Sequence, residues 1–216
     1  MGCPRPPVAA LSRDLVTWLF ARAVERTLQE RIIDAVETVL VQADRMPPPP
    51  QRPPALAFID LSGFTTLTEE RGDEVAAEAA ARLQELAEAA TRRSGGRVVK
   101  LLGDGVMLRF DDAASALRVT FEIIEAIDAA GLPRGHAGVA AGRVLVRDGD
   151  VFGRVVNLAA RISAQAGPGD IVVEEGVVVA LPRETAAFEP IGRVPLKGFA
   201  EPVAVWKARR PDTGER

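Results

Sequence analysis

The sequence predicts an α+β fold, in which short strands and amphipathic helices surround one core. The first observation is the apolar run Ala55 to Asp60, which is typical of a strand buried on both faces. The second is the segment Arg97 to Phe110, which predicts two strands joined at Asp104 and Gly105, a dipeptide suited to the positive φ angles of a tight hairpin turn. The third is a set of segments in which apolar residues recur every three or four positions, as along one face of a helix.

The residues before this domain have a different character. Apolar residues at mostly three- and four-residue spacing, with charges between them, predict one long helix over residues 11–46. A proline-rich run ends this helix, because proline cannot continue a helix and favours extended geometry. We therefore expect a helical segment (1–46), a proline-rich linker (47–54), one domain (55–209) and a short tail (210–216).

Strands and helices follow a definite order within the domain. One apolar stripe predicts a helix after the first strand, and a second stripe predicts another helix after the hairpin. A strand over Gly138 to Val146 comes next, and a third helix begins at about Phe152. Strand, helix, strand hairpin, helix, strand is the order of a ferredoxin-like βαββαβ core with an antiparallel sheet. The two stripes are Val75, Ala79, Leu83, Leu86 and Ala90, and Ala113, Leu117, Phe121, Ile124 and Ile127.

A C-terminal lobe is expected to extend this core. The run IVVEEG predicts a strand, and a short helix follows it near Val177. Two further strands, near Ala187 to Val194 and Val203 to Ala208, complete the predicted sheet.

Composition excludes several classes of function. The chain carries 27 basic and 30 acidic residues, a net charge of −3, which argues against the strongly basic surface of a nucleic-acid-binding protein. Cys3 is the lone cysteine, so a reducing compartment is the default. We expect no membrane segment, because no apolar run approaches the ~20 residues that span a bilayer, and no signal peptide, because residues 1–10 lack its apolar core. These features predict a cytoplasmic protein.

Two aspartates are candidate metal ligands. Asp60 ends the first predicted strand and Asp104 lies in the hairpin, so their carboxylates come together if the strands are neighbours. Hard divalent cations such as Mg²⁺ are usually held by one or two carboxylates plus substrate phosphates. Each aspartate also has a simpler interpretation, Asp104 with Gly105 as a turn and Asp60 with Ser62 as a helix cap.

A polar pair on the third predicted helix is the next candidate. Asn157 and Arg161 lie four residues apart, on the face opposite the buried stripe, so both side chains reach the same external point. An amide and a guanidinium suit an oxygen-rich, negatively charged transition state. For an isolated pair, a solvated helix face is the simpler interpretation.

The order and spacing of three motifs resemble a known family. FIDLSGFT, VKLLGDGVMLRF and DVFGRVVNLAARI together resemble the catalytic domain of class III nucleotidyl cyclases, the adenylate and guanylate cyclase family, over Ala55 to Ala208. The resemblance implies a ferredoxin-like core that works as a homodimer, with active sites formed between two subunits. It implies conversion of a nucleoside triphosphate to its 3′,5′-cyclic monophosphate and pyrophosphate.

The resemblance also implies roles for four of these residues. Asp60 and Asp104 would hold two Mg²⁺ or Mn²⁺ ions, one lowering the pKa of the ribose 3′-hydroxyl and the other neutralising the triphosphate. Asn157 would position the ribose, and Arg161 would stabilise the charge that develops at the α-phosphorus.

Base selection is assigned by the resemblance to Lys100 and Asp150. Lysine can donate a hydrogen bond to adenine N1, and a carboxylate can accept one from the N6 amino group. Guanine presents the opposite polarity at both positions, so the predicted substrate is ATP and the predicted product is cyclic AMP. A surface lysine and a loop carboxylate are the simpler interpretations of the two residues taken singly.

One feature departs from the family pattern, and two further residues have no established role in it. The arm between Gly142 and Asp150 is shorter than in vertebrate-type members and resembles a bacterial subclass. Lys197 lies near the family's polyphosphate-contacting lysine, but a structural role is as good an interpretation. His136 is predicted to be a strand residue with no catalytic part.

Two other classes of protein are weighed against this prediction. Palm-type polymerases and diguanylate cyclases share a similar core, but they need an acidic pair in place of Asp104 and Gly105 and give no reason for Asn157 and Arg161. A catalytically silent cyclase-like module that only binds ATP would be expected to lack one of the six site residues. The N-terminal helix has three open roles: transmitting a signal from an upstream sensor or regulatory partner, packing the dimer, or being the remnant of a larger sensor region.

Overall fold

The computed structural model of the protein describes residues 53–147, 150–182 and 184–211, without the side chains of Arg147 and Asp150. The predicted N-terminal helix, most of the proline-rich linker and most of the tail lie outside the described residues. None of the helices within those ranges is long and apolar enough to cross a membrane.

Nine strands and five helices follow one another in the described residues. The helices are α1 (Phe64–Arg71), α2 (Asp73–Arg92), α3 (Ala113–Ala129), α4 (Arg154–Ser163) and α5 (Glu175–Ala180). The strands are β1 (Ala55–Leu61), β2 (Arg97–Leu101), β3 (Gly105–Phe110), β4 (Gly135–Ala141), β5 (Leu145–Arg147), β6 (Asp150–Phe152), β7 (Ile171–Glu174), β8 (Ala187–Val194) and β9 (Val203–Arg209).

Seven of these strands form one sheet in the order β2-β3-β1-β4-β7-β9-β8. The first four have the antiparallel pairing and order of a ferredoxin-like βαββαβ core, which confirms the predicted fold class. One pair departs from the predicted antiparallel sheet, because β4 and β7 are parallel. The chain crosses over between them through α4, and parallel neighbours require such a crossover.

The alternation of side chains along β1 separates two hydrophobic cores. Ala57 and Ile59 face the larger core, which α2 and α3 cover. Leu56 and Phe58 face the opposite side of the sheet, where α4 packs. Asp60 is two residues after Phe58 on the same strand and therefore also lies on the α4 side.

Helix α4 sits directly against the backbone of β4. A Cβ atom at Gly138 would lie 2.3 Å from the backbone nitrogen of Ser163 and 2.4 Å from the carbonyl oxygen of Ala159. The hydroxyl of Ser163 also donates to the carbonyl oxygen of Phe58 at 3.3 Å. The missing side chain at Gly138 therefore lets α4 approach the sheet.

The predicted strand over Gly138 to Val146 is interrupted. Strand β4 ends at Ala141 and β5 begins at Leu145. Gly142 between them has φ +154°, and its backbone nitrogen donates to the carbonyl oxygen of Pro54 at 2.9 Å. A continuous apolar pattern did not reveal this break, because the chain leaves the main sheet here to form the separate β5–β6 hairpin.

We expect Gly138→Ala to destabilise the fold, because the new methyl group meets helix backbone that cannot rotate away. Overpacked cores typically lose about 1–3 kcal/mol. Urea unfolding followed by circular dichroism measures the effect. Gly167→Ala is the matched control, since its new Cβ would meet a carboxylate oxygen of Asp170 at 3.3 Å, which can move aside. Equal stability of the two variants would contradict the packing role of Gly138.

Candidate active site

Asp60 and Asp104 lie together at one edge of the sheet. Asp60 is near the end of β1, and Asp104 is in the turn that joins β2 to β3. The backbone nitrogen of Leu61 donates both to Oδ1 of Asp60 at 3.1 Å and to the carbonyl oxygen of Asp104 at 3.2 Å. This shared donor ties the end of β1 to the β2–β3 turn.

Gly105 makes room for the carboxylate of Asp60. The two residues are opposite each other in the β1–β3 ladder, and a Cβ at Gly105 would lie 3.1 Å from Oδ1 of Asp60. Gly103 has φ +77°, whereas Gly105, for which the sequence predicts a positive φ angle, is not among the glycines that have one. Leu102 donates its backbone N–H to Gly105 at 2.8 Å and closes the turn around Gly103 and Asp104. Gly105 therefore matters for the space it leaves, and Gly103 for its backbone angle.

The two carboxylates repel each other electrostatically. Burial raises the pKa of Asp60, and the charge of Asp104 raises it further. The charge of His136 and the N–H of Leu61 oppose both effects. Two carboxylates held this close in a half-buried place favour a bound cation.

These two carboxylates fit a hard divalent cation whose remaining coordination positions are filled by other ligands. Among the described residues, no group of three or more His, Cys, Asp or Glu side chains could hold a metal. Asp60 and Asp104 alone would leave most coordination positions to water and substrate phosphates, as Mg²⁺ commonly has in proteins.

A cavity of about 110 Å³ opens beside Asp60 between the sheet and α4. Pockets for organic ligands usually enclose about 300–1,000 Å³, so this cavity is too small to hold a nucleotide. It is lined by Phe58, Ile59, Asp60, Leu102, Gly105, Ala160, Ser163 and Ala164.

Asn157 and Arg161 lie elsewhere on the same helix. Both side chains are exposed on α4, whose buried residues are Leu158, Ala159, Ile162 and Ser163. Neither lines the cavity at Asp60. No hydrogen bond or ion pair joins Arg161 to another residue in the part of the chain that the structure describes. Their polar groups therefore lie on the surface of the described domain.

A β-bulge determines where Lys100 points. The β2–β3 register shifts between Val98 and Lys100, so that Lys100 pairs with Met107. Met107 is also opposite Phe58, which faces α4, so Lys100 joins that face of the sheet. Bulges of this kind re-aim a side chain.

Asp150 lies near the strand that carries Lys100. It is the first residue of β6, paired with Arg147 of β5, and its side chain lies outside the described residues. Strand β6 contacts β2. The backbone positions of the two proposed adenine-contacting residues thus belong to adjacent elements of one chain.

An apolar surface surrounds these elements. Five large hydrophobic side chains at the end of β2 and on the β5–β6 hairpin are between 45% and 63% exposed. We call these residues the hairpin apolar surface: Leu101, Leu102, Leu145, Val146 and Phe152.

Sequence reasoning missed the environment of His136 and gave Lys197 an uncertain place. His136 is directly opposite Asp60 in the β1–β4 ladder, and its Nδ1 is 3.0 Å from the hydroxyl oxygen of Ser62. Only the pairing of β1 with β4 brings these residues together, so no local motif signals it. Lys197 is exposed between β8 and β9.

Several proteins with similar sequences are named as adenylate cyclases. Residues 48–208 match the model of the adenylate and guanylate cyclase catalytic domain. An adenylate cyclase of Streptomyces griseus is 33% identical over 183 residues, covering 81% of this chain and 46% of the relative. A pH-sensitive adenylate cyclase of Mycobacterium tuberculosis is 36% identical over 172 residues, covering 77% of this chain and 43% of the relative. The chain spans less than half the length of these two relatives.

Solved structures share the fold. The adenylyl cyclase CyaB from P. aeruginosa aligns with a TM-score of 0.65 at 21% identity, covering 76% of this chain and 96% of that one. An adenylate/guanylate cyclase/hydrolase from Silicibacter pomeroyi aligns with a TM-score of 0.62 at 32% identity, covering 74% and 98%. The match over residues 48–208, the sequence relatives and the shared sheet topology lead to one conclusion: the chain belongs to the adenylate and guanylate cyclase catalytic domain family.

Proposed function

We propose that this protein is an adenylate cyclase that converts ATP to 3′,5′-cyclic AMP and pyrophosphate. The observation that carries the proposal is the pairing of Asp60 and Asp104 at the sheet edge, with Gly105 leaving space for the Asp60 carboxylate. In the reaction the ribose 3′-oxygen forms a bond to the α-phosphorus while the bond to the pyrophosphate oxygen breaks. This function belongs to the family that the chain matches.

The two carboxylates hold the triphosphate end of the site. Asp60 and Asp104 would bind two Mg²⁺ or Mn²⁺ ions, and the half-buried position of Asp60 strengthens its attraction for a cation. Bound there, the ions supply charge neutralisation for the triphosphate and a lowered pKa for the 3′-hydroxyl.

A second copy of the chain would complete the site. Asn157 and Arg161 lie on the surface of the described domain and do not line the Asp60 cavity, which is too small for a nucleotide. In a symmetric homodimer, α4 of one subunit would face Asp60 and Asp104 of the other, giving two equivalent sites. Asn157 would orient the ribose, and Arg161 would donate to oxygens of the α-phosphate as their charge grows.

The hairpin apolar surface supports this dimer. Its five residues leave apolar area in water next to the strands that carry Lys100 and Asp150. Exposed apolar patches of this kind mark interaction surfaces, and a second copy would bury it. Dimer formation and assembly of the site would then be one event.

Adenine selection is proposed for Lys100 and Asp150. The bulge places Lys100 on the α4 face of the sheet, and the contact between β2 and β6 puts the start of β6 close to it. Lys100 would donate to adenine N1, and Asp150 would accept from the N6 amino group. Guanine would leave both groups unpaired, which a desolvated site penalises.

We expect Asp60→Asn to abolish activity and, in the metal-free protein, to raise the melting temperature. The pKa of Asp60 is raised in the fold, so its contribution to stability is present below its ordinary value of 3.8 and is lost as pH rises through the folded pKa. At neutral pH the ionised carboxylate therefore costs stability, which the neutral amide removes. Cyclic AMP production with Mn²⁺ should fall about a hundredfold or more.

Thermal unfolding in EDTA measures the second effect. Asp111→Asn, at an exposed position after β3, removes the same charge and should change neither activity nor melting temperature appreciably. Cyclic AMP production near the wild-type level in Asp60→Asn would contradict the metal assignment. No cyclic AMP from wild type with ATP and Mn²⁺ would favour a silent nucleotide-binding module.

Mixing two inactive variants tests the shared site. Asp104→Ala and Arg161→Ala homodimers should each be nearly inactive, because both of their sites carry the same lesion. In a mixed dimer one site contains both substitutions and the other contains neither. Mixing should therefore restore part of the wild-type rate. Specific activity should also fall on dilution, by mass action. No recovery, with subunit exchange demonstrated by fluorescence energy transfer, would exclude a site built from two chains.

Base selection is tested by Lys100→Glu combined with Asp150→Cys. The exchange reverses the proposed hydrogen-bonding polarity, so ATP turnover should fall about tenfold or more relative to GTP turnover. Steady-state kcat/KM for both nucleotides measures the ratio. Lys197→Glu is the control for the Lys100→Glu exchange, since it makes the same charge change outside the proposed adenine site. An unchanged ratio in the double variant, or equal use of both nucleotides by wild type, would contradict the assignment.

A further inference from the structure

The turn between β1 and α1 is held to β4 by two hydrogen bonds. The backbone nitrogen of Ser62 donates to the carbonyl oxygen of Arg134 at 2.9 Å, and the hydroxyl of Ser62 is 3.0 Å from Nδ1 of His136. Gly63 then starts α1 with φ +73° and no side-chain cap. The residue just before β4 therefore supplies the backbone anchor of this turn, and His136 of β4 supplies the side-chain anchor.

Helix α1 contributes little to its own placement. None of its residues is fully buried, and only Phe64 and Leu67 pack partly against the larger core. A short helix with so little buried area depends for its position on its contact with α2 and on the residues that precede it. The anchoring of Ser62 thus also controls where the first turn of α1 lies.

His136 is also a neighbour of Asp60, two residues before Ser62. It is directly opposite Asp60 in the β1–β4 ladder, and opposite residues share a face with Cβ atoms about 4.5–5.5 Å apart. Its charge also lowers the pKa of Asp60, against the effects of burial and Asp104. His136 is the only histidine in the chain.

We propose that His136 is a positioning residue for the triphosphate site, whose ring holds Ser62 so that Asp60 and the start of α1 keep the geometry that binds the metal and the nucleotide. This inference rests on the proposed cyclase function. It assigns no contact between His136 and the substrate, so it adds a positioning role to the prediction that His136 is a strand residue with no catalytic part.

A purely structural role predicts different behaviour. If the hydrogen bond between Ser62 and His136 served only stability, its loss would lower the free energy of unfolding and leave metal affinity unchanged in the folded fraction. If it positions the site, its loss weakens binding of Mn²⁺ with nucleotide and raises KM more than it lowers kcat. One hydrogen bond corresponds to roughly a tenfold change in binding.

The experiment compares His136→Ala, Ser62→Ala, the double variant and His136→Asn in the full-length chain. Mn²⁺ binding with a non-hydrolysable ATP analogue is followed by electron paramagnetic resonance, alongside steady-state kinetics and urea unfolding. Asparagine presents a polar atom near the position of the histidine Nδ1, so His136→Asn should recover most of the affinity. Thr68→Ala is the matched control, because its hydroxyl donates to the carbonyl oxygen of Phe64 within α1 at 3.0 Å, a hydrogen bond that does not involve β4.

Both single variants should weaken Mn²⁺ binding about tenfold, and the double variant should be no worse than either. Unchanged Mn²⁺ affinity in Ser62→Ala and His136→Ala would overturn the inference. Additive losses in the double variant would also overturn it, since the two residues would then act separately. If wild type binds Mn²⁺ with the analogue but makes no cyclic AMP, the proposed function fails while the binding data still decide the role of His136.

Discussion

The pairing of β1 with two antiparallel neighbours determines where every candidate group at the sheet edge lies. Its register against β3 puts Asp60 opposite Gly105, and its register against β4 puts the same residue opposite His136. A shift by one residue would turn Asp60 into the core that α2 and α3 cover, because successive side chains on a strand point to opposite faces. The buried residues Ala57 and Ile59 oppose such a shift, since it would expose them to the α4 side. The core thus fixes the position of a carboxylate, proposed here as a metal ligand, that is not part of the core.

The two faces of the sheet are covered unequally, and this difference carries the proposed function. One face is closed by α2 and α3 over the larger core. The other is covered by α4 alone among the long helices, and Gly138 lets that helix lie against the backbone of β4. Beside α4 the sheet and the β5–β6 hairpin keep apolar side chains in water. On this face the two aspartates lie apart from Asn157 and Arg161. Such an arrangement suits a site that a second copy of the chain completes.

Electrostatics links the fold to the proposed chemistry. A buried carboxylate beside a second carboxylate is unfavourable in the isolated chain, which is why the pKa of Asp60 is raised. At the proposed metal site, cation binding would relieve this cost, and the unfavourable free energy of the free protein would add to the affinity for the metal. His136 and Ser62 belong to the same arrangement, because they connect the Asp60 strand to β4 at the point where the chain turns into α1. The sheet edge is therefore a set of coupled contacts around one half-buried charge.

Much of the fold could be predicted from local sequence patterns. Alternating and helical periodicities predicted the βαββαβ order and the C-terminal strands, and three motifs together identified the family. The sequence alone also placed Asn157 and Arg161 four residues apart on one helix, since helical geometry is local. Pairing between distant strands is not local, so only the tertiary structure put His136 beside Ser62 and Gly105 beneath Asp60. The bulge that turns Lys100 toward α4 and the parallel pairing of β4 with β7 depend on the same long-range register, which no periodicity within a single segment encodes.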